Sequence, residues 1–352
     1  MKKLTACFLA LIMAVSLLTA CGNNSNTTTA PAGTDPAGAT TAPASEGKTY
    51  TLKIAHVMSE ADPYHTGAQK FADLVEEKSG GRIKFEMYAN AQLGGERDIT
   101  EGVSMGTIEC AVVTNAFCVN LAPEMGVLDF PYLFKSHEEA YQILDSEIGT
   151  ELFKTLEASN IKGLAYMENG FRNLTLIDKT VKEPSEIKGY KIRTMETPVH
   201  LAAFNAAGAN ATPIAASELV TALQQKTVQG QENPLKSIYD YKFYEVSPFI
   251  SMTEHFYSTA NLIMNLDVWK AFSSDDQKLI MECAAEATKV QRDACASRNE
   301  EVKGLMLAEG VQIEENVDKD AWAAAMHPVY EDPDMLAKYG TYLEKIEAAL
   351  GR

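Results

Sequence analysis

The stretch PSEIKGYKIRTMETPVHLAAFNAAGANATPIAASELVTALQQKTVQGQENP, residues 184–234, decides the fold. Its pattern predicts a strand over Tyr190–Met195 and a helix over Pro198–Ala207 that Gly208 stops. A second helix follows from about Ala215 to Lys226, and a short strand ends at Gln231-Glu232-Asn233-Pro234. Strand alternation sets Tyr190, Ile192 and Thr194 on one face and Lys191 and Arg193 on the other, with Arg193 near the carboxyl end. In open α/β sheets that end borders the ligand crevice. Thr197 suits a helix N-cap and Pro198 the first helical position, so the positive end of a helix dipole opens beside a guanidinium. Such a place suits an anion.

Upstream, Glu138 to Leu156 reads as helix and Ile161 to Met167 as a buried strand, followed by Asn169-Gly170-Phe171-Arg172-Asn173. That order places Arg172, like Arg193, just beyond a strand end. Two guanidiniums so placed can converge on one carboxylate, one supplying a two-bond fork and the other closing from the side. With Asn233 ending a third strand, the three residues form a candidate site.

The first half of the chain alternates strand and helix. Thr51–Val57 is a strand with Leu52, Ile54 and His56 on one face. A helix over Tyr64–Lys78 carries Phe71, Leu74 and Val75 as its stripe, and Gly80-Gly81 ends it. Arg82–Tyr88 alternates, Gly94-Gly95 opens a helix with Glu96 in its first turn, and Ile108–Val113 is the third strand. The order predicts an α/β domain with a parallel sheet. His56, Thr114 and Asn115 then lie past strand ends, with Glu96 at a helix start. Helix capping and dipole complementation explain Glu96, Thr114 and Asn115 as well as a pocket does. As pocket residues, these polar groups suit hydroxyls better than hydrocarbon.

The chain opens with Lys2 and Lys3, then an apolar run from Leu4 to Leu18 that is too short for a stop-transfer span, closing as Leu18-Thr19-Ala20-Cys21. This reads as a signal peptide over 1–20, and the tetrapeptide matches the bacterial lipobox, which implies cleavage before Cys21 and a lipid on its sulfur. Residues 21–47, rich in Asn, Ser, Thr, Ala, Pro and Gly, cannot bury a core and read as a flexible linker. The remaining stretch of about 305 residues is long enough for two domains.

The net charge of −17 becomes −19 once the two signal lysines are removed, which argues against nucleic acid and against a basic membrane-binding face. An acidic protein that captures an anion must use a few local cations. Of the cysteines left after Cys7 and Cys21, Cys283 and Cys295 fall roughly 18 Å apart on one helix, beyond a disulfide. Cys110 and Cys118 leave a pairing open, against four small core residues. No spacing suggests a metal, and nothing calls for a cofactor.

Near the C-terminus, Ser258–Met264 is strand-like, and Ser274 can cap a helix running to about Leu307 with Gly310 as its stop. At 1.5 Å per residue this is roughly 50 Å, longer than one small domain is wide. The stripe Leu279, Cys283, Ala287 and Val290 favours a helix that braces two lobes over one that projects or pairs as a coiled coil.

GFRNLT at 170–175, GYKIRTMETPV at 189–199 and GANATPIAASELVTALQQKTVQGQENP at 208–234 closely resemble the extracytoplasmic solute-binding proteins of tripartite ATP-independent periplasmic (TRAP) transporters, the DctP-type family. The likeness runs from about Tyr50 to the C-terminus, through KIAHV at 53–57, YHTGAQKFADLVEEKSGGRI at 64–83 and QLGGER at 92–97. It implies an α/β, two-lobed, periplasmic-binding-protein-like fold with a hinge. The lobes are expected at 48–169 plus about 259–298, and at 170–258 plus about 299–352. The resemblance implies that Arg193 binds a carboxylate, that Arg172 is the second arginine, and that Asn233 is the asparagine of the GQENP motif. It also implies that Glu218 is structural. Many relatives carry an aromatic residue where this chain has Ala216.

The expected function is therefore a receptor that closes around a small organic acid and delivers it to the membrane permease subunits, with an ion gradient as the driving force. An enzyme is not expected, since no GxSxG elbow or HExxH appears; a sensory receptor for the same ligand stays open. Polar candidates in the first lobe tilt the ligand to a sugar acid such as a uronate or aldonate, with a C4-dicarboxylate second. The expected location is extracytoplasmic, anchored by lipid to the outer face of the cell membrane.

Overall fold

A computed structural model describes residues 48–352. The expected signal peptide, Cys21 and the linker to residue 47 lie outside the described residues. Nine strands form one sheet: β1 Tyr50–Ala55, β2 Ile83–Tyr88, β3 Cys110–Thr114, β4 Ile161–Leu176, β5 Lys191–Thr194, β6 Asn210–Pro213, β7 Gly230–Asn233, β8 Phe249–Asn265 and β9 Gln312–Glu314. Their spatial order is β2-β1-β3-β8-β4-β7-β5-β6, with β9 beside the start of β8. Helices join β1, β2 and β3 and keep them parallel, as the alternation predicts. The sheet as a whole is mixed, because β8 runs antiparallel to both β3 and β4. The two long central strands thus join a parallel flank of β2, β1 and β3 to another of β7, β5 and β6, which is the two-lobed plan.

β4 corrects the reading of its own segment. The polar run Glu168-Asn169-Gly170 looks like a strand end in sequence, yet the strand continues to Leu176. Three register shifts against β8 absorb the misfit, and Gly170, at φ +114, supplies a backbone conformation that side-chain-bearing residues resist. The backbone of Glu168 stays satisfied because Gln291 reads it twice, accepting from its N–H and donating to its carbonyl, both at 2.7 Å. Arg172 therefore sits within a central strand and not beyond an end. β8 likewise extends upstream from the expected Ser258 to Phe249.

The expected helix over 138–156 breaks at Asp145, and Ser146 caps the second piece by accepting from the Ile148 N–H. β6 was not legible, since its four residues end in proline and pair only with β5.

The helix Ser274–Ala308 is capped by Ser273, one residue earlier than expected, whose hydroxyl accepts from the Asp276 N–H at 3.1 Å. Its buried face is Ile280, Cys283, Ala284, Ala287, Gln291 and Cys295, while Val290 is exposed. Gly67 lets the helix Pro63–Lys78 come close to this face: a Cβ there would stand 2.7 Å from Gln291 Cγ. Beyond that contact, Val302 and Met306 continue the buried face into a different apolar cluster with Leu219, Ile238 and Ile250. One helix thus packs on both flanks of the sheet. Cys110, Cys118, Cys283 and Cys295 are all buried free thiols, so Cys110 and Cys118 are not paired.

Candidate functional site

Arg193 emerges from β5 with a guanidinium only 3 % exposed. Its Nε donates to the Ile214 carbonyl at 2.7 Å, which fixes the plane of the fork. Nη1 meets only the Met195 sulfur, at 3.7 Å, a weak acceptor. Among the described residues no oxygen takes Nη1 or Nη2. Burial lowers its pKa to about 10, opposed chiefly by Glu232, so the group stays charged at neutral pH and lacks a carboxylate of its own. The next helix opens as the sequence predicts, with Thr197 Oγ1 accepting from the His200 N–H at 3.2 Å.

Arg172, from β4, is the opposite case. Nε and Nη2 take both oxygens of Glu232 at 2.5 and 2.8 Å, and Nη2 also reaches the Glu232 carbonyl and Asn233 Oδ1. Asn233 is held in turn by its Nδ2 bond to Gln231 Oε1 at 2.5 Å. Burial alone would raise the pKa of Glu232, but Arg172 and a His255 hydrogen bond hold it well below the usual carboxylate range. His255 is itself neutral-leaning, its pKa lowered by burial, and it bonds to Thr253 at 2.7 Å and to Glu232 at 3.3 Å. Neither Glu232 nor His255 was singled out in sequence. The signal for Glu232 was its place beside Asn233, on the strand that pairs with β4 at Leu174.

From the other flank come Glu96 and Thr114. Glu96, in the first turn of the helix Glu96–Met105, accepts through one oxygen from the Thr114 N–H at 2.7 Å and the Thr114 hydroxyl at 2.8 Å. The Tyr64 hydroxyl stands 3.1 Å behind Thr114 Oγ1. Burial pushes the Glu96 pKa up, against those Thr114 hydrogen bonds.

Five of the expected site residues, Glu96, Thr114, Arg172, Arg193 and Asn233, line a single cavity. His56 and Asn115 do not. His56 is fully buried with Nε2 3.2 Å from His65, and burial lowers its pKa to about 4. Asn115 spends its amide on the Met125 carbonyl and Asp129, and accepts from Asn261. The cavity also gains Met58, Phe117, Asn169, Met195, Ser237, Tyr241 and Phe243, so its aromatic wall comes from other elements although Ala216 lines it. At about 30 Å³ it has room for about two waters and not for a six-carbon acid, so its walls must part to admit one. A larger hollow of about 290 Å³ lies by His137, Glu254, Lys303 and Lys319, but its cationic groups are already paired, Lys303 with Glu315 at 2.9 Å, His137 with Glu168 at 3.0 Å and Lys319 with Glu254. Among the described residues no cluster of three metal-capable side chains occurs, and no helix is long and apolar enough to cross a membrane.

Residues 54–336 match the family described as bacterial extracellular solute-binding protein, family 7 (DctP). The chain is 33 % identical over 276 residues to the 2,3-diketo-L-gulonate-binding periplasmic protein YiaO of Escherichia coli K12, covering 78 % of this chain and 84 % of that one. The fold superposes with a TM-score of 0.81 on a TRAP periplasmic solute-binding protein from Polaromonas sp. JS666 bound to D-erythronate, at 35 % identity and covering 86 % of this chain and 99 % of the other. It superposes equally, at 0.81 and 31 % identity, on the sugar acid binding protein DctPAm of Advenella mimigardefordensis in complex with galactonate, covering 86 % and 98 %.

Proposed function

The chain belongs to the bacterial extracellular solute-binding proteins of family 7, the receptors of TRAP transporters and not enzymes, and on that premise we propose that it captures a sugar-acid monocarboxylate, an aldonate or uronate. The observation that carries this reading is the Arg193 guanidinium, buried, oriented by the Ile214 carbonyl and without an oxygen partner at its two terminal nitrogens among the described residues. The ligand carboxylate takes that fork, because a buried cation gains most from a planar anion that fits it bidentately. Arg172 and Asn233 hold the carboxylate from the side, with Glu232 keeping Arg172 in place. Glu96 accepts from the ligand hydroxyls, and Thr114, whose N–H and hydroxyl both donate to Glu96, holds that carboxylate in place. Asn115 and His56 act from behind, where they fix the wall that carries Thr114. Relatives and neighbours named for diketogulonate, erythronate and galactonate support this ligand class.

Because the cavity is too small for such an acid, uptake requires the lobes to separate and close again. We set the lobe boundary at the register shift between Glu168 and Gly170, opposite Ser258, with lobe I at 48–169 plus about 259–298 and lobe II at 170–258 plus about 299–352. Closure is favoured by contacts the ligand makes with both lobes at once, since equal affinity for open and closed forms would shift nothing. The closed form docks on the membrane permease subunits. The segment Leu18–Cys21 marks Cys21 for a lipid that anchors the protein outside the cell membrane.

A thermal-shift screen of the purified protein tests the ligand class, because a ligand that binds only the native state raises the unfolding midpoint as its concentration exceeds Kd. A rise with aldonates or hexuronates is expected. A rise confined to C4-dicarboxylates would overturn the ligand class while leaving the receptor.

A further inference from the structure

We propose that Glu96 makes the cleft selective for hydroxylated monocarboxylates and turns dicarboxylates away, by holding a fixed carboxylate where a second ligand carboxylate would lie. The inference rests on the reading of this cleft as an acid-binding site and names which acids it refuses.

It follows from counting charges. The charged side chains that line the cavity are Glu96, Arg172 and Arg193. Arg172 is neutralised by both oxygens of Glu232. The nearby Lys236 is neutralised by Asp62 at 3.0 Å, with both side chains fully buried. What remains is one cation, Arg193, from one flank of the sheet and one carboxylate, Glu96, from the other. Such a cleft balances one ligand carboxylate at one end only.

Glu96 is not free to swing aside. One of its oxygens receives both the N–H and the hydroxyl of Thr114, and Tyr64 backs that hydroxyl. Its position in the first turn of a helix sets it against the positive end of the helix dipole, which, with the Thr114 hydrogen bonds, opposes the rise in pKa that burial gives it. The second oxygen has no hydrogen-bond partner among the described residues. An ionised carboxylate only accepts, so a ligand hydroxyl satisfies it and a ligand carboxylate repels it, in surroundings too dry to screen the repulsion. Specificity of this kind is gained by penalising the wrong partner.

Galactonate and galactarate separate the outcomes, since they differ only in a terminal CH₂OH against a carboxylate. In calorimetry at pH 8, the protein should bind galactonate about 100-fold or more tightly than galactarate. Glu96→Gln, which keeps the size and removes the charge, should cut that ratio by about tenfold or more. An unchanged ratio in Glu96→Gln, or equal affinities in the unaltered protein, would overturn the inference while the receptor reading stands. Binding of neither acid, together with no thermal shift in a wider panel of organic acids, would overturn both. Should Glu96→Gln fail to fold, Thr114→Val, which removes one of the two hydrogen bonds that hold the Glu96 oxygen and favour its charge, should move the ratio in the same direction.

Discussion

Arg172 grips Glu232 through Nε and Nη2 at 2.5 and 2.8 Å, and neither side chain is more than 1 % exposed. Removing one member of so buried a pair strands the other, at a cost on the order of 3–5 kcal/mol. Glu232→Gln should therefore lower the free energy of unfolding by about 3 kcal/mol in a urea titration. The double variant Arg172→Met with Glu232→Leu should lose less than the sum of its single variants, because neither charge is left alone. Additive losses would mean that the pair is not coupled in the folded protein.

The two arginines of the cleft were only half legible in the sequence. Arg193 was correctly tied to a strand terminus and a helix N-terminus because alternation and the Thr197-Pro198 cap are local signals. The place of Arg172 was misjudged because Glu168-Asn169-Gly170 carries the residue types of a turn, and only the partner strand β8 and the side chain of Gln291 make them part of a strand. His56 looked like a rim residue for a related reason. It lies just beyond the end of β1, but which neighbours close over it is a tertiary matter, and His65 on the following helix covers it.

Arg193→Lys preserves charge but loses the planar fork and the Nε bond to Ile214. Affinity for the acid identified in the screen should fall by about tenfold or more, with a nearly unchanged melting midpoint, as read by calorimetry and thermal denaturation of the same sample. Wild-type affinity in this variant would remove Arg193 from the site.

Gly230 explains the glycine of the GQENP segment. β7 is squeezed between β4 and β5, and a Cβ at Gly230 would stand 2.4 Å from the Thr175 carbonyl oxygen and 3.1 Å from Ile192. Backbone cannot yield there without moving Glu232 and Asn233. Gly230→Ala should thus cost on the order of 2–3 kcal/mol of stability and weaken ligand binding together. A stable variant with normal affinity would show that the strand can shift without disturbing the site.

Asp129 lies behind the wall that carries Asn115 and gives a pH dependence of known sign. Burial raises its pKa to about 7, against the pull of the Asn115 hydrogen bond at 3.0 Å, and its second oxygen has no partner among the described residues. In the unfolded chain the group titrates near 3.9. Between about pH 3.9 and 7 the native state holds a proton that the unfolded state has released, so this group makes stability fall as pH rises through that window. His56 and His200 act oppositely: burial lowers them to about 4 and about 3, and the stability they contribute is lost as pH falls below about 6.5. Those histidine effects cancel in a comparison of the protein with Asp129→Asn. The variant should be more stable than the unaltered protein at pH 8 by on the order of 2 kcal/mol, and the gap should close or reverse at pH 4. Urea titrations at both pH values decide it, and a difference independent of pH would mean that Asp129 does not carry a proton in the folded protein.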